Sequence, residues 1–130
     1  MSDFSGKHIL LGVSGSIATY KAVALASRLT QAGATVDVIM TSAATERVPP
    51  PPSQALTHPA GRPARWGHDA ETEIGHVTLA KQADALVVAP ATANTLAKLA
   101  LGFADNFLTT TALALRGALV LAPAMESGMW

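Results

Sequence analysis

The amino-acid sequence predicts an α/β protein in which helices cover both faces of an open, mostly parallel sheet. The first observation is that four short apolar runs alternate with segments of helical periodicity, in the order expected of successive β-α-β units. The second is that these runs are apolar almost throughout, as expected of strands buried on both faces. The third is a set of small and hydroxyl-bearing residues that follows each run.

The composition fits a single folded domain. The chain has 130 residues, of which 49% are hydrophobic and 14% charged. Nine basic residues balance nine acidic ones, so no net field favours nucleic acid or an anionic membrane. Cysteine is absent, which excludes thiolate chemistry by these residues. No apolar run approaches the roughly 20 residues of a membrane span. We expect a cytoplasmic protein without nucleic-acid or membrane partners.

The first β-α-β unit occupies residues 9–40. Residues Ile9–Val13 are apolar and predict a buried strand, and residues from Ile17 to Ala32 have helical spacing. Gly33 is predicted to cap the end of that helix. Residues Ala34–Met40 predict a second strand, which a right-handed crossover places parallel to the first.

The middle of the chain departs from this alternation. The stretch "ERVPPPPSQALTHPAGRPARW", residues 46–66, contains four consecutive prolines and little apolar periodicity. Proline lacks the N–H donor that a central strand needs, so residues 43–72 are predicted to form a surface excursion with at most one helical turn. Within a domain spanning 1–130 this excursion is either a plain linker or a functional lid or oligomer contact.

Regular structure is predicted again from Glu73 onward. The predicted elements are a helix from Glu73 that ends at Asp84, a strand at Ala85–Ala89, a helix at Thr95–Leu101, a helix introduced by Asp105 and Asn106 that runs through Leu115, and a strand at Gly117–Ala122.

Four segments follow the predicted strands and are expected to converge at one edge of the sheet, where such folds bind ligands. They are "GVSGSIA", "MTSAA", "APATANT" and "APAMESGMW". The first matches neither G-x-G-x-x-G nor the Walker loop, which ends in Gly-Lys-Ser/Thr. The backbone N–H groups of Gly15, Ser16 and Ile17 could still face an anion. The Ser14 and Ser16 hydroxyls add donors. Alternatively, the loop is a capped turn with Ser16 as its N-cap, and the loop alone leaves both possibilities open.

The end of the second strand favours a phosphate ligand. A dinucleotide site places an acidic residue there for the ribose hydroxyls, but this chain has Thr41 and Ser42, with Asp37 inside the strand. Neutral hydroxyls suit a terminal phosphate better than a diol. The sequence therefore predicts a phosphomonoester ligand, as in a mononucleotide such as FMN.

"PATANT", residues 90–95, predicts a surface for a flat ligand. Its small residues let a ring approach the backbone, and Thr92, Asn94 and Thr95 offer polar groups for a ring edge. Asn94 or Thr95 is also the expected N-cap of the next helix. His76 falls on the inner face of its helix, where a lone His is usually structural, and no His pair has metal-ligand spacing. We expect no metal site.

Together these stretches resemble the flavoprotein family of cysteine decarboxylases. The matching segments are "GVSGSIATYK", "MTSAAT", "GHVTLAKQADALVVAPATANTLAKLALGFADNFLTTTALA" and "APAMESGMW". Members act on phosphopantothenoylcysteine in coenzyme A biosynthesis or on peptidyl-cysteine in lantibiotic maturation. The chain is most similar to the decarboxylase half of the bacterial bifunctional enzyme, in which a synthetase domain follows.

The resemblance implies a flavodoxin-like (Rossmann-type) three-layer fold, bound FMN, and homotrimers that often form dodecamers. It implies that 4'-phospho-N-pantothenoylcysteine is decarboxylated to 4'-phosphopantetheine in the cytoplasm. Flavin would first oxidise the thiol, and after loss of CO2 the reduced flavin would reduce the ene-thiol to the saturated product, which regenerates FMN. The implied phosphate ligands are Gly15, Ser16 and Thr41. The implied flavin contacts are Pro90, Thr92, Ala93, Asn94 and Thr95, and the implied substrate contacts are Ala124, Met125 and Glu126. His76 matches the active-site His and would act as acid or base, and Glu126 is the second residue expected to be catalytic.

The sequence departs from the family in two places. The last motif is usually P-A-M-N, whose Asn contacts the substrate carboxylate, but here the position is Glu126. Two carboxylates in contact repel unless one is protonated. The family's flap Cys would follow Trp130, and we expect the chain to continue there. Three alternatives stay open: a flavin prenyltransferase, a flavin-binding regulatory subunit without turnover, and a generic nucleotide-binding domain.

Overall fold

The structure is a computed structural model that describes residues 3–46, 65–67 and 73–129. Five parallel strands form one sheet in the order β3-β2-β1-β4-β5. The strands are β1 (His8–Val13), β2 (Thr35–Met40), β3 (Arg65–Gly67), β4 (Ala85–Ala91) and β5 (Ala118–Pro123). The helices are α1 (Lys21–Gln31), α2 (Ser42–Thr45), α3 (Glu73–Gln82), α4 (Ala93–Leu101) and α5 (Phe107–Ala114), with 3-10 turns at Ile17–Tyr20 and Ser127–Met129. The predicted α/β class is confirmed.

The sheet is the middle of three layers because its strands carry apolar side chains on both faces. On one face, Leu11 and Val13 of β1 join Val38 of β2 in a buried cluster that α1 covers with Ala22 and Ala26. The other face has a second cluster, formed by strand residues together with side chains of α3, α4 and α5; its buried members are Leu10, Ile39, Ala83, Leu86, Val88, Ala91, Phe107 and Leu108. The three-layer prediction is confirmed.

Close packing on the second face requires a glycine in β1. A Cβ added to Gly12 would lie 2.4 Å from Cδ1 of Leu108 in α5, which is well inside van der Waals contact. Gly12 therefore lets α5 lie directly on the central strand.

The strand order places the ligand-binding crevice. The order 3-2-1-4-5 is that of the Rossmann fold and differs from the 2-1-3-4-5 order of flavodoxin itself. The chain proceeds outward from β1 to β2 and β3, and then returns to the other side of β1 as β4. The reversal leaves a crevice beyond the carboxyl ends of β1 and β4, where open α/β sheets bind ligands.

Several element boundaries differ from the prediction. The predicted helix 17–32 divides into the 3-10 turn Ile17–Tyr20 and α1, because Ser16 and Thr19 form a capping box that tightens the first turn. Gly33 follows α1 with φ of 102°, which confirms its predicted role at the helix end. β4 extends to Ala91, so Pro90 belongs to the strand, with a cis Ala89–Pro90 peptide.

The predicted surface excursion contains two elements. Residues 43–45 belong to the single turn α2, and residues 65–67 form β3, which the sequence analysis did not predict. β3 pairs with β2 at Asp37, Val38 and Ile39 and is the edge strand on that side of the described sheet. The remaining residues of the excursion, 47–64 and 68–72, lie outside the described residues, and its predicted roles as lid or contact stay untested.

At the opposite edge, β5 is exposed along its whole length. It pairs only with β4, and all six residues are exposed, including Leu119 at 44% and Val120 at 49%. Among the described residues no helix is long and apolar enough to cross a bilayer.

Candidate functional site

A cavity of 450 Å³ lies beyond the carboxyl ends of β1, β2 and β4. This volume is within the range of about 300 to 1,000 Å³ typical of small-molecule sites. Most of its lining residues are small or bear hydroxyl or amide groups; they are Gly15, Thr41, Ser42, Ala43, Thr92, Asn94, Thr95, Lys98, Asp105 and Asn106. The structure thus brings together five of the predicted cofactor residues, namely Gly15, Thr41, Thr92, Asn94 and Thr95.

Ser14 joins the two strands on either side of the crevice. Its side chain is buried, its hydroxyl donates to the Pro90 carbonyl over 2.5 Å, and its oxygen accepts from the Thr92 N–H over 3.0 Å. A serine hydroxyl has one proton, and here that proton is already donated inside the protein. In this structure Ser14 joins the β1 and β4 loops, and its predicted contact with the cofactor stays untested.

Ser16 fills the N-cap role that was the alternative for this loop. Its hydroxyl oxygen accepts from the Ala18 N–H over 3.0 Å, and its own N–H donates to the Thr19 hydroxyl oxygen over 2.9 Å. The Ser16 N–H is therefore not free to bind an anion. None of the hydrogen bonds that the structure describes uses the Gly15 N–H, and Gly15 lines the cavity. The Gly15 N–H is therefore one donor of this loop that remains available, beside the Ser16 hydroxyl proton.

The β1 loop touches the turn after β2. A Cβ on Gly15 would lie 2.5 Å from the Ala43 Cβ and 2.9 Å from the Ala43 carbonyl carbon, so only glycine fits. Thr41 anchors the same turn, because its N–H donates to the Val13 carbonyl over 3.0 Å and its hydroxyl oxygen caps α2 by accepting from Ala44 N–H. The two loops form one continuous wall of the cavity.

The β4 loop forms a second wall. Thr92 is the N-cap of α4, since its hydroxyl oxygen accepts from the Thr95 N–H over 3.2 Å. The predicted caps, Asn94 and Thr95, were therefore wrong by two or three residues. Capping by Thr92 leaves the Asn94 side chain exposed at the cavity, where its amide can both donate and accept. Ala93 is exposed at the start of α4 but does not line the cavity.

The third wall was not predicted from the sequence. It is formed by Lys98 in α4 and by Asp105 and Asn106 before α5, and Lys98 Nζ lies 2.9 Å from Asp105 Oδ2. The sequence analysis used Asp105 and Asn106 only as a helix start, and Asn106 does cap α5 by accepting from Thr109 N–H over 2.8 Å. A signal was present: Lys98 follows Asn94 by four residues and Thr95 by three, which places all three on one helical face.

Two predicted residues border a different cleft. Pro90 and Ala124 line a 300 Å³ cleft on the α1 side of the sheet, together with Lys21 and apolar residues of α1, β4 and β5. This cleft and the cavity lie on opposite sides of the β4 end, because Pro90 borders the first and Thr92 the second. Met125 is half-buried beside Ala124, but it is not a lining residue of either space.

Glu126 is exposed and makes its described hydrogen bonds locally. Its carboxylate accepts from the Gly128 N–H over 2.9 Å and from the Ser127 hydroxyl over 3.2 Å, which closes the 3-10 turn at Ser127–Met129. His76 lies in α3, but its side chain is outside the described residues, so its predicted role is untested. In a β-α-β unit the helix runs antiparallel to the strands, and the first turns of α3 therefore begin at the carboxyl edge of the sheet.

The donor set of the cavity fits a phosphorylated mononucleotide. Its described polar groups near β1 and β2 are a glycine N–H and neutral hydroxyls, with no carboxylate among them to accept from a ribose diol. The acidic residue of β2, Asp37, lies mid-strand and 95% buried, with Oδ2 2.5 Å from His8 Nε2. In the described part of the chain no three His, Asp or Glu residues are placed to hold a metal ion.

The fold and the site define a class: an α/β protein with a nucleotide-type ligand site at the switch point of a Rossmann-ordered sheet. Comparison with known proteins gives the family. A model of the Flavoprotein family matches residues 2–130, and the chain belongs to that family.

The relatives found are proteins of coenzyme A biosynthesis. The chain is 44% identical to the bifunctional protein CoaBC of Vibrio cholerae over its whole length, which is 33% of that protein. It is 48% identical to a probable phosphopantothenoylcysteine decarboxylase of Streptococcus mutans, covering 95% of this chain and 70% of the relative. The chain thus spans about a third of the bifunctional relatives it matches.

Solved structures show the same fold. The FMN-dependent cysteine decarboxylase TvaF of thioviridamide biosynthesis superposes with a TM-score of 0.83 at 31% identity, covering 96% of this chain and 77% of TvaF. A phosphopantothenoylcysteine decarboxylase variant complexed with pantothenoylaminoethenethiol gives a TM-score of 0.76 at 31% identity, covering 95% of this chain and 70% of that one.

Proposed function

We propose that this chain binds FMN and decarboxylates 4'-phospho-N-pantothenoylcysteine to 4'-phosphopantetheine in coenzyme A biosynthesis. The observation that carries the proposal is the 450 Å³ cavity, whose lining of glycine, hydroxyl and amide groups suits a phosphorylated flavin. The names of the relatives support the same substrate, since one is a probable phosphopantothenoylcysteine decarboxylase. This activity makes the chain a carboxy-lyase.

The phosphate end of the ligand is assigned to the wall formed by the β1 and β2 loops. The Gly15 N–H is uncommitted there, and the Thr41 hydroxyl, which accepts from Ala44 N–H, retains its own proton for a phosphate oxygen. Ser16 retains its hydroxyl proton in the same way. Ser14 acts indirectly, through its bonds to Pro90 and Thr92.

The flavin ring is assigned to the wall that begins with Thr92. The Asn94 amide offers both a donor and an acceptor, which suits the edge of a heterocycle that carries both kinds of group. Thr95 is 4% exposed, and its backbone N–H holds Thr92 in place. Ala93 leaves the start of α4 free of a bulky side chain. Bound flavin would accept two electrons from the substrate thiol and return them after CO2 is lost, since the overall reaction is redox-neutral.

The reacting thiol requires an acid or base, and His76 is proposed for that role. Imidazole titrates near neutral pH and can therefore exchange a proton with sulfur or carbon under working conditions. α3 begins at the edge of the sheet that carries the cavity. Ala124, Met125 and Glu126 are proposed to contact the substrate beside the flavin ring, as the resemblance to the family implies.

The first test is the cofactor itself. The purified protein is expected to be yellow and to release FMN on denaturation, as identified by chromatography of the supernatant. Protein that is colourless and cannot be reconstituted with FMN would exclude a flavoprotein function.

The second test is turnover. Release of CO2 from phosphopantothenoylcysteine is expected, and His76→Asn is expected to reduce it by about 100-fold or more, the usual contribution of a positioned acid or base. The released FMN content of the variant serves as the control for an intact site. Full activity in His76→Asn would remove this residue from the mechanism.

A non-catalytic flavin-binding protein is the second candidate function, and Glu126 is the observation in its favour. Its carboxylate is bound to Gly128 and Ser127 and would repel a substrate carboxylate. Glu126→Asn is expected to raise turnover if the acid is an impediment. Flavin binding without CO2 release in both forms would favour the non-catalytic function.

The assembly and location are proposed on the same basis. We propose a homotrimer, and trimers could form a dodecamer, as the resemblance to the family implies. The coverage of 33% of the Vibrio cholerae protein supports fusion to a C-terminal synthetase domain. We propose a cytoplasmic location, as expected for coenzyme A biosynthesis.

A further inference from the structure

The third wall of the cavity contains a charged pair. Lys98 and Asp105 are the charged residues among the described lining of the cavity, and Lys98 Nζ lies 2.9 Å from Asp105 Oδ2. The Lys98 side chain is 26% exposed and that of Asp105 is 55% exposed. The pair is therefore partly solvated, and the carboxylate holds the ammonium only weakly, since exposed ion pairs contribute about 0 to 1 kcal/mol.

The backbone keeps this pair at the cavity. Gly102 ends α4 in the left-handed conformation with φ of 77°, and the Phe103 N–H then donates to the Lys98 carbonyl over 3.0 Å. The chain folds back over the last turn of α4 and brings Asp105 beside Lys98. Asn106 is fixed in turn as the N-cap of α5. Lys98 therefore stays on the cavity wall.

The rest of the lining is neutral, but the proposed ligand is not. A phosphomonoester carries about 1.5 to 2 negative charges at pH 7. Hydrogen bonds to a charged partner are roughly twice as strong as neutral ones, and an ammonium offers three donors. A phosphate dianion in the cavity therefore competes for Lys98 with a singly charged and half-exposed carboxylate.

We propose that Lys98 breaks its ion pair with Asp105 and binds the phosphate of the ligand. This contact makes the site select phosphorylated over dephosphorylated flavin. The inference rests on the proposed FMN-binding function and adds a cationic contact that the sequence analysis did not assign. Asp105 competes with the phosphate for Lys98. It pairs with the lysine when no ligand is bound, and breaking this ion pair weakens phosphate binding.

The test compares two ligands that differ only in the phosphate. Flavin-free protein is titrated with FMN and with riboflavin, and binding is followed by quenching of flavin fluorescence. Lys98→Met is expected to raise the dissociation constant for FMN about tenfold or more, the size expected for a lost charged hydrogen bond. The constant for riboflavin is expected to stay within about twofold of the original value.

Two variants control for charge and for folding. Lys81→Met removes the same charge from an exposed position in α3 outside the cavity and is expected to leave both constants unchanged. Lys98→Arg keeps the cation and is expected to restore most of the FMN affinity. Equal losses of FMN and riboflavin affinity in Lys98→Met would overturn the inference, as would unchanged FMN affinity. Original protein that binds neither flavin would instead overturn the proposed function.

Asp105→Asn tests the competition. Removing the carboxylate is expected to tighten FMN binding about threefold, because the phosphate no longer displaces a charged partner, and to leave riboflavin binding unchanged. Weaker FMN binding in Asp105→Asn would show that the carboxylate positions Lys98. It would overturn the proposal that the phosphate replaces Asp105 as the partner of Lys98. The riboflavin constant reports in each variant that the cavity is still folded.

Discussion

Strands β1 and β5 have the same length and similar apolar sequences, HILLGV and ALVLAP, yet their environments are opposite. β1 is buried at every position after His8, whereas every residue of β5 is exposed. The hydropathy of a strand therefore predicts that it joins the sheet, but it does not predict that both of its faces are covered. Coverage depends on neighbouring elements.

The neighbours explain the contrast. β1 has a strand on each side, α1 on one face and α5 on the other. β5 pairs with β4 alone, and none of the described helices buries either of its faces. Leu119 and Leu121 are exposed on one face of β5 and Val120 on the other, since side chains alternate along a strand.

The largest expected effect tests the contrast within one row of the sheet. Leu10 in β1, Leu86 in β4 and Leu119 in β5 are successive partners in register, but Leu10 is 0% exposed and Leu119 is 44% exposed. Leu10→Ala is expected to lower the free energy of unfolding by about 3 kcal/mol, because it leaves a cavity in the core. Leu119→Ala is expected to cost less than about 1 kcal/mol. Urea denaturation measures both, and equal losses would contradict the contrast.

The next largest effect on stability is expected at Gly117, directly before β5, where there is no space for a side chain. A Cβ on Gly117 would lie 2.3 Å from the Asp84 carbonyl oxygen, and Ala118 N–H bonds to the same oxygen over 3.1 Å. Gly117→Ala is expected to cost about 1 to 3 kcal/mol, because a backbone atom has to move. Ala118→Ser, one residue further and exposed, is the control and is expected to change stability by less than about 0.5 kcal/mol. A tolerated Gly117→Ala would show that β5 is held loosely.

Two serines, one after β1 and one after β5, offer a matched pair of substitutions with a smaller expected effect on stability. Ser14 follows β1 and bonds to the Pro90 carbonyl and the Thr92 N–H, both of which belong to the cavity loops. Ser14→Ala removes the partner of the Thr92 N–H, while the Pro90 carbonyl keeps its bond from the Ser14 N–H, and the variant is expected to cost about 1 kcal/mol. Ser127, beyond β5, bonds only to the exposed Glu126 carboxylate, and Ser127→Ala is expected to be neutral within about 0.5 kcal/mol. Thermal denaturation of both variants measures the difference.

The smallest effect on stability is expected on the open face of β5. Val120 is 49% exposed, and Val120→Lys is expected to change the free energy of unfolding by less than about 0.5 kcal/mol. If this face is the proposed trimer contact, the same substitution weakens self-association, which analytical ultracentrifugation measures. A large loss of stability without a change in association would mean that the face is covered within one chain.

The elements that were predicted correctly are those that residues close together in the sequence determine. Continuous apolar runs located four of the five strands, and parallel strands bring Gly15, Thr41 and Thr92 together because their carboxyl ends meet at one edge. Gly33 and Asn106 were identified as helix-end residues because capping depends on a few adjacent residues.

What the sequence did not predict depends on contacts between distant residues. β3 has three residues and follows a proline-rich stretch, so only its pairing with β2 identifies it. Ser14 could have faced either the ligand or the protein, and the position of Pro90 on the neighbouring strand decides this. The Lys98–Asp105 pair depends on the path of the chain after Gly102, which no helical pattern specifies.

The contact between Gly15 and Ala43 bears on how proteins built on this site can diverge. Neither loop can gain a side-chain atom at this point without separating, and the bond from Thr41 N–H to the Val13 carbonyl opposes that separation. The path of the backbone therefore sets the distance between these loops. Variation in ligand preference is then confined to the opposite walls, where Asn94 and Lys98 can be exchanged without moving a strand.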